Sequence, residues 1–308
     1  MDSPLFFAKI LLFGEYGIIK NSKGISIPFD LFSGALKLGD LNNNKINQSN
    51  LEIKKFNHYL KQNFQENEIN FDLMDKDLQN GLYFKSSIPT GYGVGSSGSL
   101  VAAIYEKYFI NIIKNEININ SNQIFQLKQI FSKMESFFHG TSSGFDPLNS
   151  YLSSPILINS KKDVKTTLTP NQNNNGKIGF FLIDSEESSD TSILVKQFQK
   201  NMEDSDFKNI FQNEFISFTN SCVQDFLDSN FNSLSINFKK LSRFTFDNFK
   251  MMIPNKFDLI WKNGLKSNKY YLKLCGSGGG GYILGFSLNI DEVKEQLSAF
   301  NFQEILRY

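Results

Sequence analysis

Along the chain, short continuous apolar runs alternate with stretches whose apolar positions recur at helical spacing, and the two patterns predict different elements. Phe6 to Phe13 is an apolar run interrupted only by Lys9 and ended by Gly14, which reads as a buried strand. Asp40 to Asn50 is a loop by composition, and Leu51 to Phe64 has the periodicity of an amphipathic helix. Tyr83 to Ile88 predicts a strand, and Leu100, Val101, Ile104, Tyr105 and Tyr108 recur as the apolar face of a helix. Ile124, Leu127, Phe131, Met134 and Phe138 form a second helical stripe, with Asn120 placed as its cap and Gln123 as the reciprocal partner. After a polar, Asn-rich stretch from Leu152 to Asn175, Ile178 to Ile183 predicts a strand and a helix begins near Ile193. Phe207 to Phe249 reads as helical throughout, and Tyr270 to Leu274 and Tyr282 to Phe286 as two short strands. A chain of 308 residues exceeds one core of average size, which predicts two domains, residues 1–165 and 166–308.

Two glycine-rich stretches interrupt this pattern. Between Ile88 and Leu100, Gly91, Gly93, Gly95 and Gly98 remove the Cβ atoms that would keep a ligand from the backbone, and the stretch empties directly into a helix. Backbone N–H groups near Ser96 to Ser99 then point out of a helix N-terminus, a site suited to phosphate. Between the last two strands, Gly276 and Gly278 to Gly281 exceed what a hairpin turn requires, which argues for close backbone approach to a ligand. Gly93 to Gly98 also satisfies the G-x-G-x-x-G spacing of dinucleotide folds and protein-kinase loops. The dinucleotide reading needs an acidic residue at the end of a second strand, whereas Glu116 lies in an Asn-rich connection with no strand before it. A Walker loop fails because no Gly-Lys-Ser/Thr closes the segment.

Three charged residues stand out against the apolar pattern. Lys9 shares a pleat face with Phe7 and Leu11, so it needs either a partner or an edge position from which the amine reaches water. Glu135 borders the apolar stripe of its helix; it is either a solvent-boundary residue or a carboxylate aimed into a site, most simply at Mg²⁺. Asp146 precedes Pro147, the combination of a helix cap and a first helical residue. His58 reads as a solvated helix residue and His139 as a structural one.

Composition narrows the partner. With 32 basic and 31 acidic residues the net charge is +1, which gives no electrostatic basis for binding nucleic acid or an anionic membrane and favours a small-molecule partner. Cys222 and Cys275 cannot form a disulfide framework and suit a reducing cytoplasm. Asp2 and Lys9 argue against reading the apolar start as a signal peptide, and no run is long enough to span a membrane. A cytoplasmic protein is the expectation, and the sequence leaves its oligomeric state open.

Pro-x-Gly-x-Gly-x-Gly-Ser-Ser, from Pro89 to Ser97, resembles the second motif of the GHMP kinases, the family of galacto-, homoserine, mevalonate and phosphomevalonate kinases. Lys-Ile-Leu-x-x-Gly-Glu-x-x-Ile-Ile, from Lys9 to Ile19, resembles the first motif of the mevalonate kinases, and Lys-Leu-x-Gly-x-Gly-Gly-Gly-Gly, from Lys273 to Gly281, the third GHMP motif. Glu-x-x-x-His-Gly-x-x-Ser-Gly-x-Asp, from Glu135 to Asp146, resembles the mevalonate kinase segment in which the Glu binds Mg²⁺ and the Asp sits against the acceptor hydroxyl. The resemblance spans about Phe7 to Phe286. It implies an α+β fold, with an N-terminal α+β domain, a C-terminal ferredoxin-like domain and the active site in the cleft between them. It implies ATP and Mg²⁺ as cofactors and a small alcohol as substrate, with mevalonate the best match.

The roles it implies are these. Pro89, Gly91, Gly93, Gly95, Ser96, Ser97 and Gly98, with Gly278 and Gly279, hold the nucleotide; Ser97 and Glu135 hold the metal; Asp146 and Lys9 are catalytic. Lys9, Glu15, Tyr16 and Thr191 border the acceptor. Tyr16 stands where mevalonate kinases usually carry His, Pro147 replaces a common Asn, and Thr191 lacks the usual basic neighbour, so acceptor choice is less fixed than reaction type. The alternatives are another GHMP kinase, acting on phosphomevalonate or a sugar, and a nucleotide-dependent regulatory protein without turnover.

Overall fold

The computed structural model describes residues 3–115, 119–188 and 191–308, with the side chains of 191 and 192 also left aside. Asp2, Glu116, Ser189 and Asp190, and the side chain of Thr191, therefore lie outside the described residues. In chain order the elements are β1 (Phe6–Phe13), β2 (Gly24–Leu38), α1 (Asn44–Asn63), α2 (Phe71–Gln79), β3 (Leu82–Ser86), α3 (Ser96–Tyr108), α4 (Ser121–His139) and α5 (Phe145–Leu152). They continue with β4 (Ile156–Ile158), β5 (Val164–Thr166), β6 (Gly179–Asp184), α6 (Thr191–Asn201), α7 (Ser205–Ile210), α8 (Ile216–Leu227) and α9 (Phe231–Asn248). The last are α10 (Asp258–Ser267), β7 (Tyr271–Leu274), β8 (Tyr282–Ser287), α11 (Ile290–Gln296) and β9 (Phe302–Arg307). The mixed α+β class is as the sequence predicts.

Two compact units divide the chain, and neither is continuous in sequence. The first comprises residues up to Lys9, Pro28–Pro89 and Gly95–Ser154; the second comprises Ile10–Ile27, Thr90–Val94 and Pro155–Tyr308. In the first unit, β2 pairs antiparallel with β3, from Gly34 opposite Ser86 to Leu38 opposite Leu82. Its core is aromatic where α3, α4 and α5 meet: Tyr105 stands edge-on to Phe131 and Tyr151, with ring centroids 5.0 and 5.2 Å apart. Two buried serines tie these helices to β1, Ser99 Oγ donating to Phe6 O at 2.9 Å and Ser150 Oγ to Phe7 O at 2.8 Å. The expected capping box of α4 is present, Asn120 and Gln123 each bonding the other's backbone N–H. Helix α1 starts seven residues earlier than its apolar period suggests, because Asn43, inside the predicted loop, caps it through the N–H groups of Lys45 and Ile46.

In the second unit β6, β7, β8 and β9 make a four-stranded antiparallel sheet in the order β7-β8-β6-β9, with α6 to α10 between β6 and β7 and α11 between β8 and β9 in the chain. That β-α-β-β-α-β order is the ferredoxin-like arrangement the sequence resemblance implies. Two expectations are corrected here. The polar stretch after Leu152 contains a hairpin, β4 with β5, whose first strand pairs with Gly24 to Ser26 of β2; strands of three residues are too short to leave a period. Phe207 to Phe249 is not one helix: a π-helical segment at Phe211–Phe215 joins α7 to α8, and Asp228 to Asn230 separate α8 from α9, with Asn230 capping α9.

Candidate functional site

Lys9 lies on β1 in the first unit, and its ammonium sits 3.1 Å from Asp146 Oδ1. Only 6% of the Lys9 side chain is exposed, against 38% of that of Asp146, so the amine is closed in while the carboxylate stays open on one side. The alternative of an edge lysine reaching water is thereby excluded. The serine bonds from α3 and α5 to Phe6 and Phe7 fix the strand just before Lys9 and hold it against the helix that carries Asp146.

Asp146 is not the helix cap. Helix α5 is capped by Gly144 at φ +74°, and Asp146 lies within the first turn with Pro147 behind it. A glycine can take the left-handed conformation that ends the preceding turn, and a Cβ at Gly144 would lie 2.4 Å from Lys128 O. Released from capping, the Asp146 side chain is available to Lys9. An acidic group in the first turn also meets the positive end of the helix dipole.

Gly95 caps α3 at φ +83°, and the helix begins at Ser96, where the apolar period places it. Close packing puts this helix start beside the ion pair: a Cβ at Gly95 would lie 3.0 Å from Lys9 Cγ, and one at Gly98 would lie 2.7 Å from the Asp146 carbonyl carbon. One turn of α3 thus lies against Lys9 and Asp146 only because two glycines leave room. Ser97 projects from the same turn; its Oγ is 3.3 Å from Glu135 Oε1 and 3.0 Å from His139 Nε2.

Glu135 is buried, only 3% exposed, which removes the solvent-boundary reading. Ser142 Oγ donates to its second oxygen and accepts from Gly144 N–H, joining the carboxylate to the turn that starts α5. Burial, and after it the negative charge of Asp146, push the Glu135 carboxyl up to about 8, against the pull of Ser142, Lys9 and Ser97. A buried carboxylate held this far up is short of positive charge. Two hard oxygens from Ser97 and Glu135 fit the way Mg²⁺ is bound, by one or two protein oxygens with phosphate and water completing the shell. Among the described residues no cluster of three or more His, Cys, Asp or Glu side chains forms a self-sufficient metal cage.

Glu15 and Tyr16 belong to the second unit. Glu15 is buried and pairs with the equally buried Lys273, Nζ to Oε1 at 2.5 Å, while Lys273 also donates to Leu274 O at 2.8 Å. The Tyr16 hydroxyl donates to Ser277 O at 2.7 Å, and burial raises its pKa beyond the ordinary phenol range. The glycines of this unit pack loop on loop. A Cβ at Gly93 would lie 2.6 Å from Cys275 O, and one at Gly281 would lie 2.5 Å from Tyr92 Cα. Gly278 and Gly279 have φ of +78° and +77°, and Gly279 N–H donates to Met252 O at 2.6 Å. Part of the glycine content is therefore required by contact between the segment at Thr90–Val94 and the loop at Cys275–Gly281.

The structure brings Lys9, Ser97, Glu135 and Asp146 together in the first unit, with Ser96, Gly95 and Gly98 on the same helix start. Glu15, Tyr16, Gly278 and Gly279 are gathered in the second, with Gly91 and Gly93 on the segment beside that loop. Thr191 opens α6, and Pro89 is half-buried at the end of the segment leading from β3. Three participants were not singled out from sequence: Ser142, His139 as a partner of Ser97, and Lys273 as the partner of Glu15. Ser142 is one of three consecutive hydroxyl residues and nothing in the chain distinguishes it. Lys273 carried a signal, a lysine inside an apolar strand run, of the kind that drew attention to Lys9.

Residues 53–153 match the family model described as the GHMP kinases N terminal domain. No curated protein matched the sequence. Among solved structures, the fold is similar to that of the L. major mevalonate kinase in complex with R-mevalonate (TM-score 0.64, 15% identity, 97% of this chain and 90% of that one). It is similar also to the Methanococcus jannaschii mevalonate kinase (TM-score 0.62, 17% identity, 100% and 99%). A third is the Streptococcus pneumoniae phosphomevalonate kinase in complex with phosphomevalonate and AMPPNP (TM-score 0.62, 12% identity, 99% and 100%). Residues 53–153 thus match the GHMP kinase N-terminal domain, and over nearly its whole length the chain has a fold similar to those of mevalonate and phosphomevalonate kinases.

Proposed function

We propose that the protein transfers the γ-phosphoryl group of ATP to a primary alcohol, that Mg²⁺ assists, and that (R)-mevalonate is the best acceptor, giving 5-phosphomevalonate. The observation that carries this reading is the Lys9–Asp146 ion pair at 3.1 Å, its amine closed in and its carboxylate partly open, set against the first turn of α3 beside Ser97 and Glu135. A base, a fixed cation and a helix N-terminus in one place are what phosphoryl transfer to an alcohol requires.

In this mechanism Asp146 accepts the hydroxyl proton as the acceptor oxygen bonds to the γ-phosphorus and the bond from that phosphorus to the bridging oxygen of ADP breaks. Lys9 holds the carboxylate in position and offers positive charge to the transferring group. The N–H groups at the start of α3 receive phosphate oxygens. Ser97 and Glu135 would hold Mg²⁺, which when bound neutralises charge on the phosphates. The mevalonate assignment is supported by the Glu135-to-Asp146 segment and by the mevalonate kinases among the structures of similar fold.

A coupled ADP-release assay over (R)-mevalonate, phosphomevalonate and galactose tests it. Mevalonate should give the highest kcat/KM and the rate should vanish without Mg²⁺. Equal or better turnover with phosphomevalonate or galactose would remove the acceptor assignment, and no turnover with any alcohol would leave a nucleotide-binding protein without catalysis.

A further inference from the structure

Glu15 and Tyr16 follow Lys9 closely in sequence, and the family resemblance places them at the acceptor. Within their own unit the partners of their side chains are elsewhere in the chain. Both engage the strand end and loop from Lys273 to Ser277, one through the buried ion pair and the other through the Tyr16 hydroxyl bond. We infer that Glu15, Tyr16 and Lys273 are positioning residues for the glycine loop at Cys275–Gly281, and so act on nucleotide binding rather than on the acceptor; this rests on the kinase reading above.

Several features support it. The turn that presents the two side chains is forced: Gly14 has φ +121°, and Tyr16 has φ +57°, an uncommon conformation for a residue with a large side chain. Such a turn persists only where its surroundings over-determine it, and here they do. The Tyr16 ring packs against Phe198 and Phe249, with centroids 4.6 and 5.5 Å away, leaving only its hydroxyl directed at the loop. Phe215, Leu241 and Phe249 wall the space beside Glu15 and Lys273. Water is largely excluded there, so each charge depends on the other. Lys273 then fixes the end of β7 by its second bond, to Leu274 O, one residue before the loop begins. On the far side the loop is gripped by Gly279 N–H to Met252 O and Gly281 N–H to Glu187 O, both at 2.6 Å. Its near side has the Tyr16 and Lys273 contacts. A loop of five glycines has high conformational entropy when free, and fixing it beforehand lowers the cost of binding phosphate on it.

The test is the affinity for AMPPNP by titration calorimetry, alongside the KM for mevalonate at saturating ATP. Tyr16→Phe keeps the ring packing and removes one hydrogen bond, so AMPPNP binding should weaken roughly 3- to 10-fold while the mevalonate KM stays within about twofold. Lys273→Met strands a buried carboxylate and endangers the fold; the double variant Glu15→Gln/Lys273→Met removes both charges and should show the same selective loss of AMPPNP affinity. A variant pair that raises the mevalonate KM with AMPPNP affinity unchanged would return these residues to the acceptor and overturn the inference. Wild-type protein that binds no AMPPNP would overturn the kinase reading and this inference together, whereas wild-type binding that neither variant weakens would overturn the inference alone.

Discussion

At the scale of single residues, the candidate site holds two carboxylates whose surroundings differ. Asp146 is partly open and paired, and Glu135 is closed in and pushed up by burial. Because Gly144 rather than Asp146 caps α5, Asp146→Asn should leave the helix start intact, and its stability cost should come from taking a negative charge away from the closed-in Lys9 ammonium. An amide cannot take the hydroxyl proton, so kcat should fall by roughly 10² to 10⁴. Near-normal turnover of a folded Asp146→Asn protein would sink the role of base. Glu135 gives a pH signature. Its carboxyl titrates at 4.5 when unperturbed and at about 8 in the folded protein, so between those values the folded state holds a proton that the unfolded state has released. The associated stability is full below about pH 4.5 and is lost as pH rises through about 8. In melting curves without divalent cation, wild type should lose Tm relative to Glu135→Gln across that window, and saturating Mg²⁺ with ADP should close the gap. Parallel Tm profiles for the two proteins would show that Glu135 carries no such shift.

At the scale of elements, the first turn of α3 is the part on which the site depends. It reaches Lys9 and Asp146 because Gly95 and Gly98 lack side chains, and a methyl group at Gly98 would meet the Asp146–Pro147 backbone at 2.7 Å. Backbone cannot swing aside as a flexible side chain can. Gly98→Ala should therefore force α3 and α5 apart and destabilise the protein by roughly 1 to 3 kcal/mol, although alanine is otherwise the better helix former by about 1 kcal/mol. Denaturant unfolding checks the sign: a Gly98→Ala protein more stable than wild type would mean that the contact yields freely. The same element shows what periodicity reads well. The apolar recurrence from Leu100 to Tyr108 located α3, and the polar Ser-Ser-Gly-Ser before it located the start, because helix burial and helix termination both leave marks on neighbouring residues. Helix α9 was legible as helix but not as a separate one, since the phenylalanines of Phe207 to Phe249 pack on several faces and blur the period.

At the scale of the whole molecule, no helix among the described residues is long and apolar enough to cross a membrane. Each of the two units assembles from separated stretches of chain. The sequence by itself determined the strands and helices that carry strong periods, the two glycine loops, the resemblance to the GHMP kinases through three ordered motifs, and four residues that the fold gathers: Lys9, Ser97, Glu135 and Asp146. Lys9, Glu135 and the glycine loops are legible because each violates a local rule, a charge against an apolar pattern or glycine beyond what a turn needs, and a local violation can be seen without knowing what lies opposite; Ser97 and Asp146 were marked by the motifs they stand in. Tertiary structure alone decided the pairings. It assigned Asp146 to Lys9 instead of to its own helix end, brought Ser142 to Glu135, and turned Glu15 and Tyr16 toward Lys273 and Ser277, more than 250 positions along the chain. A hydrogen bond or ion pair between distant residues leaves no periodic trace in either segment, so burial and partner appear only once the chain has brought the two surfaces together.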